Sequence, residues 1–382
     1  MFAKRLENLH PYIPGEQPKD RDYIKLNANE NPFPPHESVA AAIKTAVTEK
    51  IEKLGLYPDP DSTELRKAIA NMLNETGGVL NTAKVSGNKC SPSEENKIPF
   101  SVTPDMIFCG NGSDEVLSFV FYTFFDSDRP LVLPEFTYSF YPVYCGYYNI
   151  PMNPIKLRED WTLDTEKMLS EANRTDSCTI FANPNAPTGI EIKREDVAAM
   201  IRRAPKDRIF IVDEAYADFG KESCIPLLKE FDNLVIVRTF SKSLSFAGMR
   251  LGYVVSSPAL IKSIFTVKNS FNHFPVDFLA QTAGTASCKA AAYYAKNAAA
   301  IVQERDKFSA FLRKNGWFVI DSRTNFVFAK KDGHSGEEIY ETVKKAGILI
   351  RHFATKGIED FVRITIGTPE QMKKLSEVLE TL

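Results

Sequence analysis

The sequence lacks several features that would assign it to common functional classes. None of its apolar segments is long enough to cross a bilayer, and residues 1–18 contain no apolar core of signal-peptide length. Forty-seven basic residues nearly balance 49 acidic ones, which gives a net charge of -2. No overall positive field would therefore attract nucleic acid or an anionic membrane surface. We expect a cytoplasmic protein with small-molecule partners, and neither nucleic acid nor membrane among them.

Cysteine and histidine are sparse and follow no ligand pattern. The six cysteines include no CxxC pair, and the five histidines include no HExxH spacing. Scattered thiols in a long chain favour reduced cysteines over a disulfide framework. The missing histidine spacing argues against a metal enzyme, so we expect no metal site.

The chain is long enough to form more than one hydrophobic core. Its 382 residues are 43% hydrophobic and 25% charged, which is an ordinary globular composition. Residues 1–35 are rich in proline and polar side chains, and predict an extended N-terminal arm that needs a surface to lie on. Residues 36–270 predict a large domain, and residues 271–382 a smaller α+β domain. Within the large domain, residues 85–104 are loop-like and predict a surface insertion.

Short apolar runs alternate with helical segments in the large domain. This alternation is typical of an α/β fold, with strands joined by crossover helices in a mainly parallel sheet. Ligands of such open sheets bind beyond the carboxyl ends of the strands. Gly112, Asn183, Asp213 and Ser241 each follow an apolar run, so we expect the site at that edge. The runs are DMIFCG, RPLVLPE, CTIFANP, RIFIVDE, NLVIVRT and RLGYVVS.

Four short motifs stand at these strand ends. They are GNGSDE at 110–115, NPNAPTG at 183–189, DEAY at 213–216 and SKSLSFAGMR at 241–250. Each is weak alone, but in this order and separation they resemble the class I/II aminotransferases, a family of fold-type-I pyridoxal-phosphate enzymes. The resemblance implies pyridoxal 5'-phosphate as cofactor, and an amino donor and a 2-oxo acid as substrates.

Three residues are the expected catalytic groups. A lysine amine attacks an aldehyde only when it is deprotonated, and burial beside a cation favours that form. Lys242 follows an apolar run and precedes Arg250 by eight residues, which suits covalent attachment of the cofactor. Asp213 ends the IFIV run and is suited to hold the pyridine nitrogen protonated, so that the cofactor can act as an electron sink. Tyr216 resembles the family tyrosine that bonds the cofactor's phenolic oxygen.

The cofactor phosphate needs hydrogen-bond donors. Gly112, Ser113 and Asp114 begin a helix after a glycine-rich turn, where backbone N–H groups and the helix dipole favour an anion. Tyr138 matches the family position that stacks an aromatic ring on the pyridine. The resemblance further implies side-chain donors to the phosphate from Thr239, Ser241 and Arg250.

One position departs from the family pattern. Many relatives carry an asparagine immediately before PTG that bonds the phenolic oxygen, whereas this chain has Ala186. Either the preceding Asn185 takes that role or Tyr216 holds the oxygen alone.

The flanking segments resemble the histidinol-phosphate aminotransferase branch of the family. They are PYIPGEQP at 11–18, LNANENPFPP at 26–35, YPDPDSTELRKAIA at 57–70 and RHFATKGIEDFVRITIGTPEQM at 351–372. The resemblance implies a homodimer with shared active sites, in which Tyr57 reaches the partner's cofactor phosphate. It further implies that Arg363 binds the substrate carboxylate, that Arg351 contributes to the anionic distal group, and that Asn29 lines the pocket entrance.

Three alternatives remain open from the sequence. An aromatic amino-acid aminotransferase could use the same scaffold, because a pocket for imidazole can accept phenyl. A threonine-phosphate decarboxylase shares the motifs but breaks a different bond at the α-carbon. A non-catalytic cofactor-binding regulatory module is disfavoured, because Lys242, Asp213 and Arg250 are all present and no basic helix–turn–helix segment precedes residue 36.

Overall fold

The computed structural model describes Leu6 and residues 9–382; residues 1–5, 7 and 8 of the predicted arm lie outside the described residues. Before the central sheet the chain forms β1 (Ile24–Lys25), α1 (Glu37–Thr48), α2 (Thr63–Thr76) and a hairpin of β2 (Lys84–Ser86) and β3 (Lys89–Ser91). The predicted loop over residues 85–104 is therefore partly regular structure. Among the described helices, none is long and apolar enough to cross a membrane.

Seven strands form the central sheet. They are β4 (Ile107–Gly110), β5 (Leu131–Pro134), β6 (Met152–Ile155), β7 (Thr179–Ala182), β8 (Phe210–Asp213), β9 (Leu234–Thr239) and β10 (Gly252–Ser256). Their spatial order is β4-β10-β9-β8-β7-β5-β6. β10 runs antiparallel to both of its neighbours, and the pairs from β9 to β6 are parallel. The predicted α/β fold with a mainly parallel sheet is confirmed.

Helices cover both faces of this sheet, which explains the continuous apolar runs. These helices are α3 (Gly112–Phe124), α4 (Tyr141–Tyr148), α5 (Thr165–Arg174), α6 (Arg194–Arg203) and α7 (Pro258–Phe271). Ile211 of β8 packs in the core beneath α3, α4 and α7, while its neighbours Phe210 and Val212 pack in the core beneath α2, α5 and α6. The sequence did not reveal β6, because an edge strand that contains Pro154 and two exposed positions has no apolar run.

The C-terminal part forms the expected α+β layer. It contains α8 (Phe278–Cys288), α9 (Ala291–Lys314), β11 (Trp317–Ile320), β12 (Phe326–Lys331), α10 (Gly336–Lys345), β13 (Ile348–Leu349), β14 (Arg351–His352), β15 (Val362–Thr365) and α11 (Pro369–Leu379). An antiparallel sheet has the order β11-β12-β15-β14, and β13 pairs with β1. The domain boundaries at residues 35 and 270 stay predictions.

The described part of the arm lies on the small C-terminal layer of its own chain. Arg21 donates to the carbonyl oxygen of Lys344 at 2.8 Å, and Glu16 forms an ion pair with the Lys344 ammonium. The guanidinium of Arg351 reaches the carbonyl oxygen of Ile13 at 3.5 Å. The arm therefore has a surface to lie on within its own chain.

The carboxyl ends of β4, β8 and β9 meet at one edge of the sheet. β10 begins at the same edge, where Gly252 pairs with both Gly110 and Thr239. A Cβ atom on Gly252 would clash with the backbone nitrogen of Ser113. Glycine is needed at this position because the first turn of α3 packs directly against β10. This contact brings the start of α3 beside Asp213 at the end of β8.

Candidate active site

Two adjoining cavities open at this edge of the sheet. The inner cavity has a volume of about 300 Å³ and the outer cavity about 220 Å³, and Lys242, Tyr138, Tyr216 and Ala186 form part of both walls. The predicted residues that line the inner cavity are Ser113, Asp114, Tyr138, Asp213, Tyr216, Thr239, Ser241, Lys242 and Arg250. Those that line the outer cavity are Asn29, Tyr138, Tyr216, Lys242, Arg351 and Arg363.

Lys242 stands on the wall that the two cavities share. Its Nζ donates to the carbonyl oxygen of Ala28 at 3.2 Å and lies 5.8 Å from the ring centre of Tyr216. The side chain of Asn31 donates to the backbone oxygen of Lys242 at 2.9 Å and so fixes the loop that carries the lysine. An amine in this place can bind an aldehyde in the inner cavity and meet a substrate held in the outer one.

Asp213 is a buried carboxylate at the end of β8. It accepts hydrogen bonds from the Tyr141 hydroxyl at 2.8 Å and from the Ala215 N–H at 3.1 Å. Burial raises the pKa of Asp213 to about 6, although both hydrogen bonds oppose the rise. At neutral pH the group is thus mainly ionised, and it can pair with a protonated ring nitrogen in the inner cavity.

The start of α3 offers groups that suit an anion. The side chain of Asn111 makes no capping hydrogen bond, so the first N–H groups of the helix are free of a side-chain acceptor. Gly112 has a φ of 84°, and a Cβ atom there would lie 2.5 Å from the guanidinium of Arg250. Glycine thus lets Arg250 pack over the helix start, where N–H groups, the helix dipole and a cation together suit a phosphate.

Asp114 holds two neighbours of this anion site in place. Its carboxylate accepts from the Tyr138 hydroxyl at 2.8 Å and from Arg250 at 3.1 Å. Burial, followed by the charge of Asp114, raises the pKa of Tyr138 well above its ordinary value, so the hydroxyl stays neutral. The Asp114 carboxylate therefore orients Tyr138 and Arg250, while its backbone N–H belongs to the helix start that can bind phosphate.

Two arginines lie side by side on neighbouring strands of the C-terminal antiparallel sheet, at the outer cavity. Arg351 on β14 pairs in register with Arg363 on β15, and the guanidinium of each lies over the ring of Phe353, at 5.5 and 5.4 Å. Burial lowers the pKa of Arg363, and the charge of Arg351 adds to the effect. In the part of the chain that the structure describes, neither arginine forms an ion pair and the Arg363 Nε has no hydrogen-bond partner. Like charges directly opposite each other destabilise a strand pair, so this arrangement favours a bound anion.

The structure does not bring Asn185 to either cavity. Its side-chain amide donates to the carbonyl oxygen of Phe136 at 2.9 Å and to the hydroxyl of Thr188 at 3.0 Å. The prediction that Asn185 replaces the missing asparagine is therefore corrected, because its amide holds the loop over residues 183–189 together. The residue that lines both cavities is Ala186, which offers only a methyl group.

Tyr57 also lies away from the two cavities of its own chain. It is 83% exposed, and its ring stacks on that of Phe274 with centroids 4.6 Å apart. It borders a separate groove of about 860 Å³ that is also lined by Phe278 and Tyr293. Within one chain, Tyr57 therefore contributes nothing to the site.

The sequence did not reveal two groups that support the site. One is Tyr141, which stands among several other aromatic residues in the sequence and donates a hydrogen bond to Asp213. The other is a buried ion network in which Arg238 binds Glu214 at 2.7 Å and Asp218 at 3.1 Å. The Asp218 carboxylate also accepts from Ser243, the residue after Lys242. A charge inside the apolar run LVIVRT was the available signal, since a buried arginine needs buried partners.

A metal site is not found among the described residues. No group of three or more His, Cys, Asp or Glu side chains there is arranged to hold a metal ion. All six cysteines are free thiols. The donors at the inner cavity are instead backbone N–H groups, hydroxyls, one arginine and one buried carboxylate, which suit an organic phosphate with a basic ring nitrogen.

The chain is similar to known proteins along almost its whole length. The family described as "Aminotransferase class I and II" matches residues 21–379. A histidinol-phosphate aminotransferase of Syntrophus aciditrophicus (strain SB) is 46% identical over 100% of this chain and 98% of its own length. One of Lactococcus lactis subsp. cremoris (strain MG1363) is 41% identical over 99% and 97%.

A solved structure is similar over the whole fold. It is the histidinol-phosphate aminotransferase of Sinorhizobium meliloti in complex with pyridoxal-5'-phosphate, with a TM-score of 0.83 and 22% identity over 100% of this chain and 96% of that one. At 22% identity this similarity supports the fold alone. The family match and the two relatives at 46% and 41% identity cover almost every residue of this chain. This chain belongs to the class I and II aminotransferases.

Proposed function

We propose that this protein is a histidinol-phosphate aminotransferase that uses pyridoxal 5'-phosphate and exchanges the amino group with 2-oxoglutarate in cytoplasmic amino-acid biosynthesis. The observation that carries the substrate assignment is the in-register pair of Arg351 and Arg363 beside Lys242. The close relatives that carry this name support it over the full chain.

The inner cavity fits the cofactor. The start of α3 and Arg250 would hold its phosphate, Asp213 its ring nitrogen, and Tyr138 would face its ring. When bound, pyridoxal phosphate supplies an electron sink for the bonds at the α-carbon of the amino donor. Lys242 stands between the two cavities, where its amine can hold the cofactor at rest and carry a proton to or from the substrate carbon during exchange.

The outer cavity must accept glutamate and histidinol phosphate in turn. The two donors share an amine-bearing carbon and a nearby anion, which is a carboxylate in one and a phosphate in the other. One guanidinium satisfies both oxygens of a carboxylate, but a phosphate leaves further oxygens for a second guanidinium. Arg363 can therefore hold either anion, and Arg351 can add bonds to the phosphate that a donor with a single carboxylate, such as phenylalanine, cannot make.

Arg351→Ala should depress turnover with histidinol phosphate much more than turnover with phenylalanine. A hydrogen bond to a charged group contributes about 1.5–3 kcal/mol, so loss of one phosphate contact should lower kcat/KM roughly ten- to a hundredfold. The measurement is kcat/KM for both donors in the wild type and the variant. Arg313→Ala removes an arginine that pairs with Asp321 away from both cavities, and serves as the control.

Equal losses for the two donors would make Arg351 a structural residue. A wild-type preference for phenylalanine would instead assign the protein to the aromatic amino-acid aminotransferases. The aromatic side chains of Tyr12, Tyr138 and Phe353 on the outer cavity wall could accept either an imidazole or a phenyl ring, so the arginines and not the aromatic wall separate the two functions.

We further propose that the active form is a homodimer in which Tyr57 completes the neighbouring site. The ring of Tyr57 stacks on Phe274, which holds it in place, yet Tyr57 is 83% exposed. The groove beside it has an apolar lining from Leu56, Phe278 and Ala286, which a second copy could cover. Exposed apolar surface of this kind marks interaction sites.

Tyr57→Phe should weaken cofactor binding roughly tenfold or more, because a hydroxyl donor to the partner's phosphate is lost. The dissociation constant for pyridoxal phosphate measured by fluorescence quenching reports this effect. Tyr122→Phe alters another exposed tyrosine, on α3, and should leave the constant unchanged. Mixed dimers of Tyr57→Phe and Lys242→Ala chains should contain one complete site and regain activity; no gain on mixing would mean that the site is not shared.

A further inference from the structure

Asn29 is locked by hydrogen bonds on every polar group. Its backbone N–H donates to the Thr365 hydroxyl oxygen at 3.0 Å, and that hydroxyl donates to the Asn29 Oδ1 at 3.0 Å. The amide of Asn325 donates to the backbone oxygen of Asn29 at 3.0 Å. All three residues are at most 2% exposed, so no water competes for these bonds. The Asn29 Nδ2 then remains for Tyr216, whose hydroxyl oxygen lies 2.8 Å away.

This network determines the direction of each proton. A backbone N–H can only donate, so the Thr365 oxygen accepts from Asn29 and its own proton goes to Oδ1. The side-chain amide of Asn29 is thereby held with its NH₂ group toward Tyr216. Because an NH₂ group also only donates, the Tyr216 oxygen must accept, and the Tyr216 hydroxyl proton must point to a different acceptor.

The Tyr216 hydroxyl proton is free to point into the cavities. In the described residues, the bond from Asn29 is the one hydrogen bond that the Tyr216 hydroxyl makes, and the Tyr216 ring packs edge-on against Phe326 at 5.2 Å. Tyr216 lines both cavities beside Ala186, whose methyl group cannot donate a hydrogen bond. Tyr216 can therefore offer a hydroxyl donor to a group bound in the inner cavity, at a place where Ala186 offers none.

We propose that Thr365 and Asn29 are positioning residues, which form a relay that commits the Tyr216 hydroxyl to donate its proton into the inner cavity. The inference rests on the proposed function, because it assigns that proton to the phenolic oxygen of the bound cofactor. Thr365 lies two residues from Arg363, so both side chains stand on the same face of β15. The strand that presents an arginine to the substrate anion thus also sets the proton direction at the cofactor.

The relay is tested with a matched pair at Thr365. Thr365→Val keeps the shape of the side chain but removes the hydroxyl, whereas Thr365→Ser keeps the hydroxyl. Thr365→Val should lower kcat about three- to tenfold with little change in KM, and should change the absorbance spectrum of the bound cofactor at a fixed pH. Thr365→Ser should restore both. Since the valine variant also leaves the buried Asn29 N–H without an acceptor, Asn29→Gly is a second probe, which suits the φ of 54° at that position.

A double-mutant cycle with Tyr216→Phe separates the relay from a packing role. If Thr365 acts through Tyr216, Thr365→Val should have no further effect on the spectrum, the cofactor dissociation constant or kcat in the Tyr216→Phe protein. Additive losses, or equal effects of Thr365→Val and Thr365→Ser, would overturn the relay. Such a result would leave the proposed function intact. A wild-type protein that binds the cofactor but transfers no amino group would instead overturn that function. The double-mutant cycle could still be measured in that case from the absorbance spectrum of the bound cofactor.

Discussion

Lys242→Ala should abolish amino transfer, with a loss of roughly 10⁴-fold or more, because the variant lacks both the amine that attaches the cofactor and the base that moves the substrate proton. The lysine is the one group that reaches both cavities with a nucleophilic nitrogen among the described residues. After borohydride reduction of the holoenzyme, peptide mass mapping should find the cofactor on Lys242 in the wild type and on no peptide of the variant.

Lys262→Ala is the matched control, since this lysine is exposed on α7 and lines neither cavity. It should retain full turnover and the reduced adduct on Lys242. A reduced adduct on any other lysine of the wild type, or activity that survives in Lys242→Ala, would mean that the cofactor lies elsewhere.

Asp213→Asn should keep the fold and lose turnover roughly 10²- to 10³-fold. Breaking a buried, hydrogen-bonded charge pair costs about 3–5 kcal/mol, and an amide cannot hold the ring nitrogen protonated. The measurement is kcat with histidinol phosphate, together with the spectrum of the bound cofactor. Near-normal turnover would show that Asp213 does not face the ring nitrogen.

The cofactor-free protein supplies an independent check on Asp213. Burial raises the pKa of Asp213 to about 6, against about 3.9 in an unfolded chain. The folded state therefore holds the proton more tightly, and this contribution to the free energy of unfolding should be present below about pH 4 and lost as the pH rises through about 6. The free energy of unfolding of Asp213→Asn minus that of the wild type should rise over this range and then level off; a flat difference would contradict a buried carboxyl.

The sequence predicted the part of the site that is attached to buried strands. Asp213, Ser241 and Lys242 follow apolar runs, and such runs become central strands whose ends meet at one edge. Gly112 and Arg250 were placed through their motifs, and the structure packs one against the other. For these residues, the local sequence pattern and the sheet topology both indicate a place at this edge of the sheet.

Residues whose roles depend on distant partners could not be read in the same way. The place of Asn185 depends on the carbonyl of Phe136, 49 positions away, and the orientation of Asn29 depends on Thr365, 336 positions away. Tyr141 stands in a run of aromatic residues that gives no hint of a bond to Asp213. The sequence likewise did not indicate what the arm lies on, because its partners, Lys344 and Arg351, lie near the opposite end of the chain.

A half-reaction followed by rapid absorbance spectroscopy tests whether the protein transfers the amino group of histidinol phosphate. Holoenzyme is mixed with histidinol phosphate, phenylalanine or threonine phosphate without a 2-oxo acid, and the cofactor band and the products are measured. We expect stoichiometric conversion of the cofactor to its amine form with histidinol phosphate, about tenfold or more faster than with phenylalanine, and recovery on adding 2-oxoglutarate. Release of CO₂ from threonine phosphate with the cofactor band unchanged, or faster conversion with phenylalanine, would contradict it.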